Sequence, residues 1–378
     1  MPSIRYVAAA ALLTLVASRA GAQGALSTQG FGYPPGQFGT RALATGGALA
    51  ETDPVTPVNP ASITGALTSL IFFQIEPEYR KVTSGGKTET SSVARYPLIF
   101  GALPFGQRWT MSLSSSTLLD RTFETSTRRT SYLGADTVLS TEHFKSDGSI
   151  NDLRIAVGFV PHVGVRLGMG LHGLTGSDRL SLSDVFQDSL KYGSVSRARV
   201  VTYSGAAVSF GAELFSLDKG SIAMSYRRGF GLNTSVQDTS ISHASAPDRF
   251  GVSAAFTGIS GTTLAVRAAH DSWSRMNGLG GSGANGVDSW DTGAGADVQG
   301  PRIGDYVVML RAGGRWRTLP FQANGQPVKE QSWSAGLGSS LSQGRVHVDL
   351  AAVHSARSAL VGTKESAWTL SAGLMIRP

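Results

Sequence analysis

The chain has 378 residues, 47 of them glycine, and a formal net charge of +7, and only 16% of its residues are charged. A soluble globular protein carries about 25% charged residues. This composition, with a mean hydropathy near zero, therefore favours strands that have one apolar face and one small, polar face. The absence of cysteine excludes a disulfide framework, a thiolate metal site and a cysteine nucleophile, and no basic run with interleaved aromatic residues indicates a nucleic-acid partner.

Residues 1–22 have the three parts of a secretory signal peptide. Arg5 supplies a positive charge, Tyr6–Ala17 form an apolar run, and the sequence AGA that ends at Ala22 supplies a cleavage site. The apolar run is shorter than the ~20 residues that a transmembrane helix needs, and no later segment comes close to such a run. We therefore expect an exported chain that is cleaved near Ala22, and we do not expect a helical membrane protein.

Residues 23–65 are rich in Gly, Pro and Ala and are too polar and too broken to form a barrel strand. One short helix near Thr40–Glu51 fits the sequence, and Asp53-Pro54 would end it. We predict that residues 23–65 form a plug, and that residues 66–378 form the domain that the plug closes.

From residue 66 onward, apolar and polar side chains alternate with a period of two. In Leu153–Phe159, for example, the apolar set alternates with Asp152, Arg154 and Gly158. Segments of about ten residues with this alternation, separated by turns, are typical of transmembrane β-barrels. The segments that fit lie near 67–80, 92–101, 107–119, 150–160, 162–173, 198–212, 220–230, 249–257, 262–273, 289–298, 305–317, 331–341, 345–355 and 366–377.

The connectors alternate between short turns and long polar stretches, and the long ones lie near 120–149, 174–197, 231–248, 274–288 and 318–330. Lipid offers no partner for a free backbone N–H, so strands this apolar on one face must pair all the way round. A soluble β-sandwich or β-solenoid is the alternative, but a sandwich shows no such alternation of loop lengths. We predict an all-β fold, an antiparallel transmembrane barrel of about 14 strands with an N-terminal plug that contains a short helix. The even count puts both termini on the periplasmic side.

Ten aromatic residues fall near segment ends, where a ring with an apolar body and a polar tip suits the membrane interface. Ordinary strand propensity is the alternative explanation. The residues are Tyr79, Tyr96, Trp109, Tyr203, Trp273, Trp290, Tyr306, Trp316, Trp333 and Trp368.

Three stretches together resemble the outer-membrane long-chain fatty acid transporters, the FadL family. Ala246–Met276 looks like that family's hairpin that ends in a D-x-W-S-R type sequence, and Leu310–Phe321 resembles its late R-A-G strand. The most specific stretch is similar to the family's amino-terminal hatch, through Gly46, Gly47, Asp53, Asn59, Pro60 and Ala61. The family's third strand bends to open a lateral exit, whereas Gln107–Asp120 contains no Gly or Pro that would predict a bend.

The resemblance implies a 14-stranded barrel plugged by its amino-terminal segment, and passive uptake of long-chain fatty acids or other hydrophobic small molecules through the outer membrane. The hatch residues would form the gate, and neither enzymatic activity nor a cofactor or metal is expected. The expected partners are a hydrophobic ligand, outer-membrane lipid, lipopolysaccharide and the barrel assembly machinery. We expect a monomer.

The polar positions of the alternating strands include arginines that would face the lumen. A guanidinium fork there could hold a ligand carboxylate through two parallel hydrogen bonds, and a network that packs the wall against the plug is the alternative. The candidate ligand contacts are Arg154, Arg166, Arg267, Arg315 and Arg345.

Two other functions are open at this point. A non-transport barrel for surface assembly or adhesion would use its external loops and would not need the Asn59-Pro60-Ala61 element. An outer-membrane lipase is the remote alternative, because His270 and Ser272 lie two residues apart on one strand face, although no residue that would orient His270 can be named.

Overall fold

The computed structural model describes residues 31–84, 87–133, 136–187, 191–216, 219–279, 286–323, 325–360 and 363–378. The predicted signal peptide and its cleavage site lie outside the described residues. Among the described residues, no helix is long and apolar enough to cross a membrane.

The described chain contains sixteen strands in one antiparallel sheet, and fourteen of them form a closed barrel. Strand β1 pairs with β16 from Ile71–Ile376 to Ser84–Thr363, which closes the barrel. The other two strands, β4 and β9, pair with β5 and β8 at one end. The strands are β1 (Leu70–Ser84), β2 (Lys87–Phe105), β3 (Trp109–Asp120), β4 (Phe123–Leu133), β5 (Asp136–His162), β6 (Val165–Phe186), β7 (Val195–Ser216), β8 (Gly220–Val236), β9 (Thr239–Ser245), β10 (Arg249–Ile259), β11 (Thr262–Asp271), β12 (Ser289–Ile303), β13 (Tyr306–Ala323), β14 (Gln326–Leu341), β15 (Val346–Leu360) and β16 (Thr363–Ile376).

The barrel is apolar outside and polar inside, as the alternation predicts. On β5, Ile155 is 56% exposed whereas its neighbour Arg154 is 1% exposed. Leu171 on β6 and Val266 on β11 are exposed in the same way. A continuous outward surface of this kind suits lipid and would be unusual in contact with water.

The predicted aromatic girdle is present on the outside of the barrel. Neighbouring strands place Trp316 beside Trp333, with ring centres 5.5 Å apart, and His354 beside Trp368, at 4.8 Å. The prediction is wrong for Tyr203 and Trp273, which are buried inside the barrel. Tyr203 lies on β7 and Trp273 in the 3₁₀ turn Trp273–Met276, and both pack against other apolar side chains inside the barrel.

The two barrel ends differ in the length of their connections, which identifies the end with short turns as periplasmic and the other as extracellular. Four of the five long stretches predicted as polar loops are largely strand. The β4–β5 hairpin, the upper halves of β6 and β7, and the β8–β9 hairpin continue the wall beyond the extracellular rim. Their backbone groups pair with neighbouring strands, so these polar sequences form β-structure without an apolar face. In the stretch near 274–288, the described residues 274–279 and 286–288 form no strand.

Strand β3 is unbroken, in agreement with its lack of Gly and Pro, but its pairing with β2 is incomplete. The two strands pair only from Phe105–Trp109 to Leu98–Ser116. Above this point the described backbone partners of β2 are all on β1, and Pro97, which has no N–H to donate, lies where the two strands separate. We call the place where they part the β2–β3 seam.

The plug lies inside the barrel and consists of one short helix, turns and a 3₁₀ turn (Ser62–Gly65). Helix α1 spans Thr40–Ala44, shorter than the predicted Thr40–Glu51. The reason is the Gly46-Gly47 pair, whose φ angles of +64° and +79° are left-handed and end the helix. A series of turns then continues to Ala61.

Candidate functional site

The plug touches the wall where the wall has glycines. A Cβ on Gly313 of β13 would lie 2.2 Å from the Thr45 carbonyl carbon, and a Cβ on Gly293 of β12 would lie 2.3 Å from the Gly46 oxygen. The Gly46 N–H also donates a 3.0 Å hydrogen bond to Ser334 Oγ. Because glycine has no side chain, the plug backbone lies directly on the sheet here.

The Asn-Pro-Ala element makes a second contact of this kind. A Cβ on Gly168 of β6 would lie 2.2 Å from the Pro60 carbonyl carbon, and a Cβ on Gly211 of β7 would lie 1.9 Å from Asn59 Oδ1. Within the plug, Asn59 Nδ2 donates to the Glu51 carbonyl at 2.8 Å, and its Oδ1 accepts from the Ala61 N–H at 2.9 Å. The predicted hatch residue Asn59 therefore holds the shape of the plug while lying against the wall.

Glu51 is the charged anchor of the plug. Its carboxylate is completely buried and accepts from Arg249 at 2.8 Å, from Arg267 at 3.3 Å and from the Ser225 hydroxyl at 2.7 Å. These partners lie on three wall strands, β8, β10 and β11. A buried carboxylate with charged partners on several strands fixes the plug in one position.

Asp53, a predicted hatch residue, is also buried but is less well paired. It accepts from Thr56 at 2.7 Å, and its nearest guanidinium, that of Arg41, is 3.9 Å away. Arg41 instead donates to Asp297 of β12 at 2.8 Å. Burial raises the pKa of Asp53, an effect that Arg41 and Thr56 only partly offset.

Glu51 and Asp53 are expected to contribute to the pH dependence of plug docking with opposite signs. Burial would raise the pKa of Glu51, but Arg249, Arg267 and Ser225 outweigh burial and lower it. Glu51 therefore stabilises the docked plug above the usual glutamate pKa of ~4.3, and this stabilisation is lost as the pH falls below that value. The raised pKa of Asp53 strengthens docking as the pH falls.

We expect the conductance of single barrels in planar bilayers to rise when the pH is lowered below the usual glutamate pKa of ~4.3, because protonation of Glu51 there removes its ionic pairing with two guanidinium groups. Above that pH the raised pKa of Asp53 acts in the opposite direction, so Asp53→Asn should remove a strengthening of docking between pH 7 and ~4.3. Glu51→Gln should remove most of the pH dependence. An unchanged pH profile in Glu51→Gln would contradict the assignment.

Tyr33 lies in a cage of arginines at the extracellular side of the plug. Its ring is surrounded by four guanidinium carbons, those of Arg357, Arg317, Arg95 and Arg80 at 4.6, 4.9, 5.2 and 5.9 Å from the ring centre. At these distances a guanidinium is attracted by the ring face. The backbone of Tyr33 pairs with Asp120 at the β2–β3 seam, through hydrogen bonds of 2.7 and 2.8 Å.

Phe38 makes a similar contact nearer the centre of the barrel, between Arg267 at 4.8 Å and Arg315 at 4.6 Å. Arg315 also makes two 2.8 Å hydrogen bonds to Asp291. An adjacent cavity of about 40 Å³ has Gln37, Arg227 and Asp271 among its lining residues. It has room for one or two water molecules and not for an organic ligand.

The arginines predicted as ligand contacts occupy different environments. Arg267 and Arg315 contact Phe38 of the plug, in agreement with the alternative that these arginines pack the wall against the plug. Arg166 pairs with Glu213 at 3.0 Å near the periplasmic end. The lumen position predicted for Arg345 is wrong. Arg345 is exposed directly after the turn Ser342–Gly344, because β15 begins one residue later, at Val346.

Arg154 is the exception among these arginines. It is 1% exposed, and its Nε, Nη1 and Nη2 atoms have no hydrogen-bond partner among the described residues. The hydroxyls of Ser112 and Ser114 on the adjoining strand β3 are buried and also without a partner. A buried guanidinium without a partner is costly, so this position suits a polar group that arrives from outside the chain.

Three side chains beside Arg154 have the order of a hydrolase triad. His172 contacts Asp152 Oδ1 through Nδ1 at 2.7 Å and Ser209 Oγ through Nε2 at 2.8 Å. Ser209 is only 1% exposed, and neither described cavity reaches it. Asp152 also accepts from Gln37 of the plug at 3.0 Å. The geometry gives an acyl group no approach, and the three residues link the wall to the plug.

The pair proposed for the lipase alternative is separated in the structure. The His270 ring lies 4.9 Å from the Trp290 ring, and Trp290 is 60% exposed on the outside of the barrel. Ser272 lies at the end of the strand, where its N–H donates to the Asp248 carbonyl. Among the described residues, no hydrogen bond joins His270 to Ser272.

Buried apolar clusters lie on both sides of the plug. A large cluster occupies the extracellular half of the lumen and includes Phe31, Leu118, Trp273, Leu319 and Phe321. A second cluster packs the plug against the periplasmic half of the wall and includes Val55, Ile63, Phe72 and Phe100. A concavity at the periplasmic end of β7, β8, β10 and β11 is lined largely by outward-facing residues such as Ile222 and Val266, so it belongs to the lipid-facing surface and not to the lumen.

Sequence reasoning missed the residues that hold the plug most firmly, Tyr33, Gln37, Phe38 and Glu51. All four lie in or next to the Gly/Pro-rich stretch, which has no periodicity that could assign a face. The available signal was the type of residue, since charged and aromatic side chains are few in a segment made mostly of small side chains.

No protein-family model matches the chain, and no curated protein matches it by sequence. Solved structures do match its fold. The structure of a Pseudomonas aeruginosa FadL homologue superposes with a TM-score of 0.62 at 12% identity, over 92% of this chain and 99% of that one. The Pseudomonas putida toluene transporter TodX gives a TM-score of 0.57 at 10% identity, over 90% and 98%. The Ralstonia pickettii toluene transporter TbuX gives 0.55 at 12% identity, also over 90% and 98%.

Proposed function

We propose that this protein is a passive channel of the FadL type, which carries hydrophobic small molecules across the outer membrane and is gated by its N-terminal plug. One observation carries the proposal. The plug lies between two buried apolar clusters and is itself held by polar and ionic contacts that can be exchanged. The similarity to transporters of known structure supports it at the level of the fold.

The route begins at the extracellular apolar cluster, where Phe31 and Trp273 pack edge to face with ring centres 6.2 Å apart. Apolar side chains that pack only against one another can part around an apolar guest without leaving a polar group unpaired. Movement of the segment from Arg41 to Ile63 opens the way past the second apolar cluster, around Phe72 and Phe100, to the periplasmic side.

The β2–β3 seam provides a second exit, directly into the membrane. Tyr33 closes the seam by pairing with the backbone of Asp120, and Arg95 donates to the Asp120 carboxylate at 2.5 Å. A hydrophobic molecule that moves the Tyr33 segment would reach lipid without crossing the whole barrel. Strand β3 needs no bend for this route.

Uptake by cells tests the proposed function. In a host that lacks its own channels for hydrophobic compounds, we expect expression of this chain to increase the uptake of labelled toluene and oleate. Equal uptake with and without the chain would contradict the proposal. An adhesion barrel would instead lose its function when the β4–β5 hairpin is shortened, a change that should leave uptake intact.

Arg154 is expected to select ligands that carry a carboxylate. Neither described cavity reaches Arg154 while the plug is docked, so a ligand meets it only when the plug moves. A carboxylate that then reaches Arg154 would supply the missing partner of its guanidinium, with Ser112 and Ser114 as further donors. Arg154→Gln should weaken oleate binding by about tenfold, the effect of one charge-assisted hydrogen bond of ~1.5 kcal/mol. Binding of hexadecane, which has no carboxylate, should stay unchanged. Equal binding of oleate by both proteins, measured by calorimetry in detergent, would remove Arg154 from the site.

A further inference from the structure

Tyr33 is bound by the barrel in the way that a protein binds a ligand. Its side chain is 7% exposed, and its ring is enclosed by the guanidinium groups of Arg80, Arg95, Arg317 and Arg357. Its hydroxyl accepts a hydrogen bond from Arg317 at 2.5 Å and donates one to Glu330 at 3.1 Å. Both the aromatic face and the hydroxyl of the phenol group are therefore recognised.

The cage does not depend on Tyr33 for its own assembly. Seven ion pairs join four arginines to four carboxylates, and Tyr33 takes part in none of them. The eight side chains come from seven strands of the wall, and they are Glu78, Arg80, Arg95, Asp120, Arg317, Glu330, Arg357 and Glu365. The barrel wall thus presents a preformed, charge-balanced pocket.

Three polar atoms of the cage are left without a hydrogen-bond partner. The Nη2 atoms of Arg80, Arg95 and Arg357 are buried and have no acceptor among the described residues. Their guanidinium groups lie against the ring of Tyr33, which is the contact available to them. Removal of the ring would leave these groups facing an empty space, so the cage needs an aromatic occupant.

The segment that carries Tyr33 is held by little backbone hydrogen bonding. The segment from residue 32 to residue 39 is neither helix nor extended strand, and its only described backbone pairing is the Tyr33–Asp120 bridge. Gly32 and Gly36 flank Tyr33 with φ angles of +120° and +112°, a region that glycine adopts readily. We infer that Tyr33 is a tethered occupant of a binding site for free phenols, which a phenolic ligand enters by displacing the Tyr33 segment together with its backbone pairing to Asp120. This inference deepens the proposed function, on which it rests, by naming a class of substrate.

The chemistry of the cage favours phenols over related molecules. Toluene would fill the space of the ring but would leave Arg317 and Glu330 without their hydroxyl partner, and buried unpaired groups weaken binding strongly. An aryl carboxylate would bring a negative charge beside Glu330 in a cage whose charges already balance. A neutral hydroxyl can accept from Arg317 and donate to Glu330, as that of Tyr33 does.

The test uses p-cresol, which is the side chain of tyrosine as a free molecule. In purified wild-type protein, p-cresol should increase hydrogen–deuterium exchange at the amides of Tyr33 and Asp120, whose two mutual hydrogen bonds must break when Tyr33 leaves. 4-Methylbenzoate at the same concentration should not do so, because the cage does not accept its negative charge. Unchanged exchange with p-cresol would overturn the inference.

A variant gives the second measurement. Tyr33→Ala leaves the cage open, so it should bind p-cresol at least tenfold more tightly than the wild type does, and toluene at least tenfold more weakly than p-cresol. Phe38→Ala is the matched control, because Phe38 also lies between arginines but has no hydroxyl. In that variant any change in affinity relative to the wild type should be the same for p-cresol and for toluene. Equal affinity of Tyr33→Ala for the two would overturn the inference. Uptake of toluene and oleate by the wild type is measured separately, so that a failure of the phenol site can be told apart from a failure of the proposed transport.

Discussion

Glu51→Gln is expected to release the plug from the wall. The substitution keeps the shape of the side chain but leaves Arg249 and Arg267 buried without their common carboxylate. Breaking a buried ion pair by removing one partner costs about 3–5 kcal/mol, which changes the ratio of docked to undocked plug by a factor of at least about 100. We expect faster hydrogen–deuterium exchange in residues 42–56 and a larger bilayer conductance, with the barrel strands unchanged.

Glu142→Gln is the matched control for this substitution. Glu142 pairs with Arg129 at 2.9 Å on the β4–β5 hairpin, and the Arg129 side chain is 47% exposed. An ion pair in contact with water contributes at most about 1 kcal/mol, and this pair does not touch the plug. If Glu51→Gln and Glu142→Gln had the same small effect on the exchange of residues 42–56, Glu51 would not be the anchor of the plug.

Gly168→Ala is expected to displace the plug by a single methyl group. The new Cβ would lie 2.2 Å from the Pro60 carbonyl carbon and 2.3 Å from its oxygen. The Cβ is fixed to the backbone of β6, and the atoms that it meets are backbone atoms of the plug, so no side-chain rotation relieves the contact. The plug must therefore move by about 1 Å or more to restore an ordinary contact distance of ~3.5 Å. Overpacking of this kind costs about 1–3 kcal/mol. We expect higher conductance and greater sensitivity of the cells to large antibiotics.

Gly173→Ala, on the same strand, is the control. Gly173 faces outward, and the nearest atom to its Cβ would be the Leu153 oxygen, 4.0 Å away. Its conductance should match that of the wild type. Normal conductance of Gly168→Ala as well would show that the Asn59–Ala61 element does not lie against β6.

The barrel could be predicted from the sequence because lipid forces one face of every strand to be apolar. Residues such as Arg154 and Ile155 therefore reveal by their order which way each side chain points. The segment near 289–298 forms strand β12, so the count of fourteen is confirmed. The extracellular hairpins escaped prediction because they rise above the membrane, and β4, with the sequence FETSTRRTSYL, has no apolar face to reveal it.

The plug was harder to predict in detail, for a physical reason. Its position is set by backbone contacts with wall glycines such as Gly168 and Gly313, and a glycine in a strand looks the same whether or not another chain segment lies on it. The pairing of Glu51 with Arg249 joins residues 198 positions apart, and a single sequence contains no sign of it. The Asn59 element was identified by its resemblance to the hatch, and its contacts with β6 and β7 come from the structure.

Locking the plug to the wall tests the central claim most directly. Thr40 of α1 and Ser371 of β16 have hydroxyl oxygens 2.9 Å apart, and the chain has no other cysteine to interfere. The double substitution Thr40→Cys and Ser371→Cys should form a disulfide that blocks the route past the plug and so reduces toluene and oleate uptake under oxidising conditions, and dithiothreitol should restore uptake in the same cells. Undiminished uptake while the disulfide is intact would contradict a gate formed by the plug.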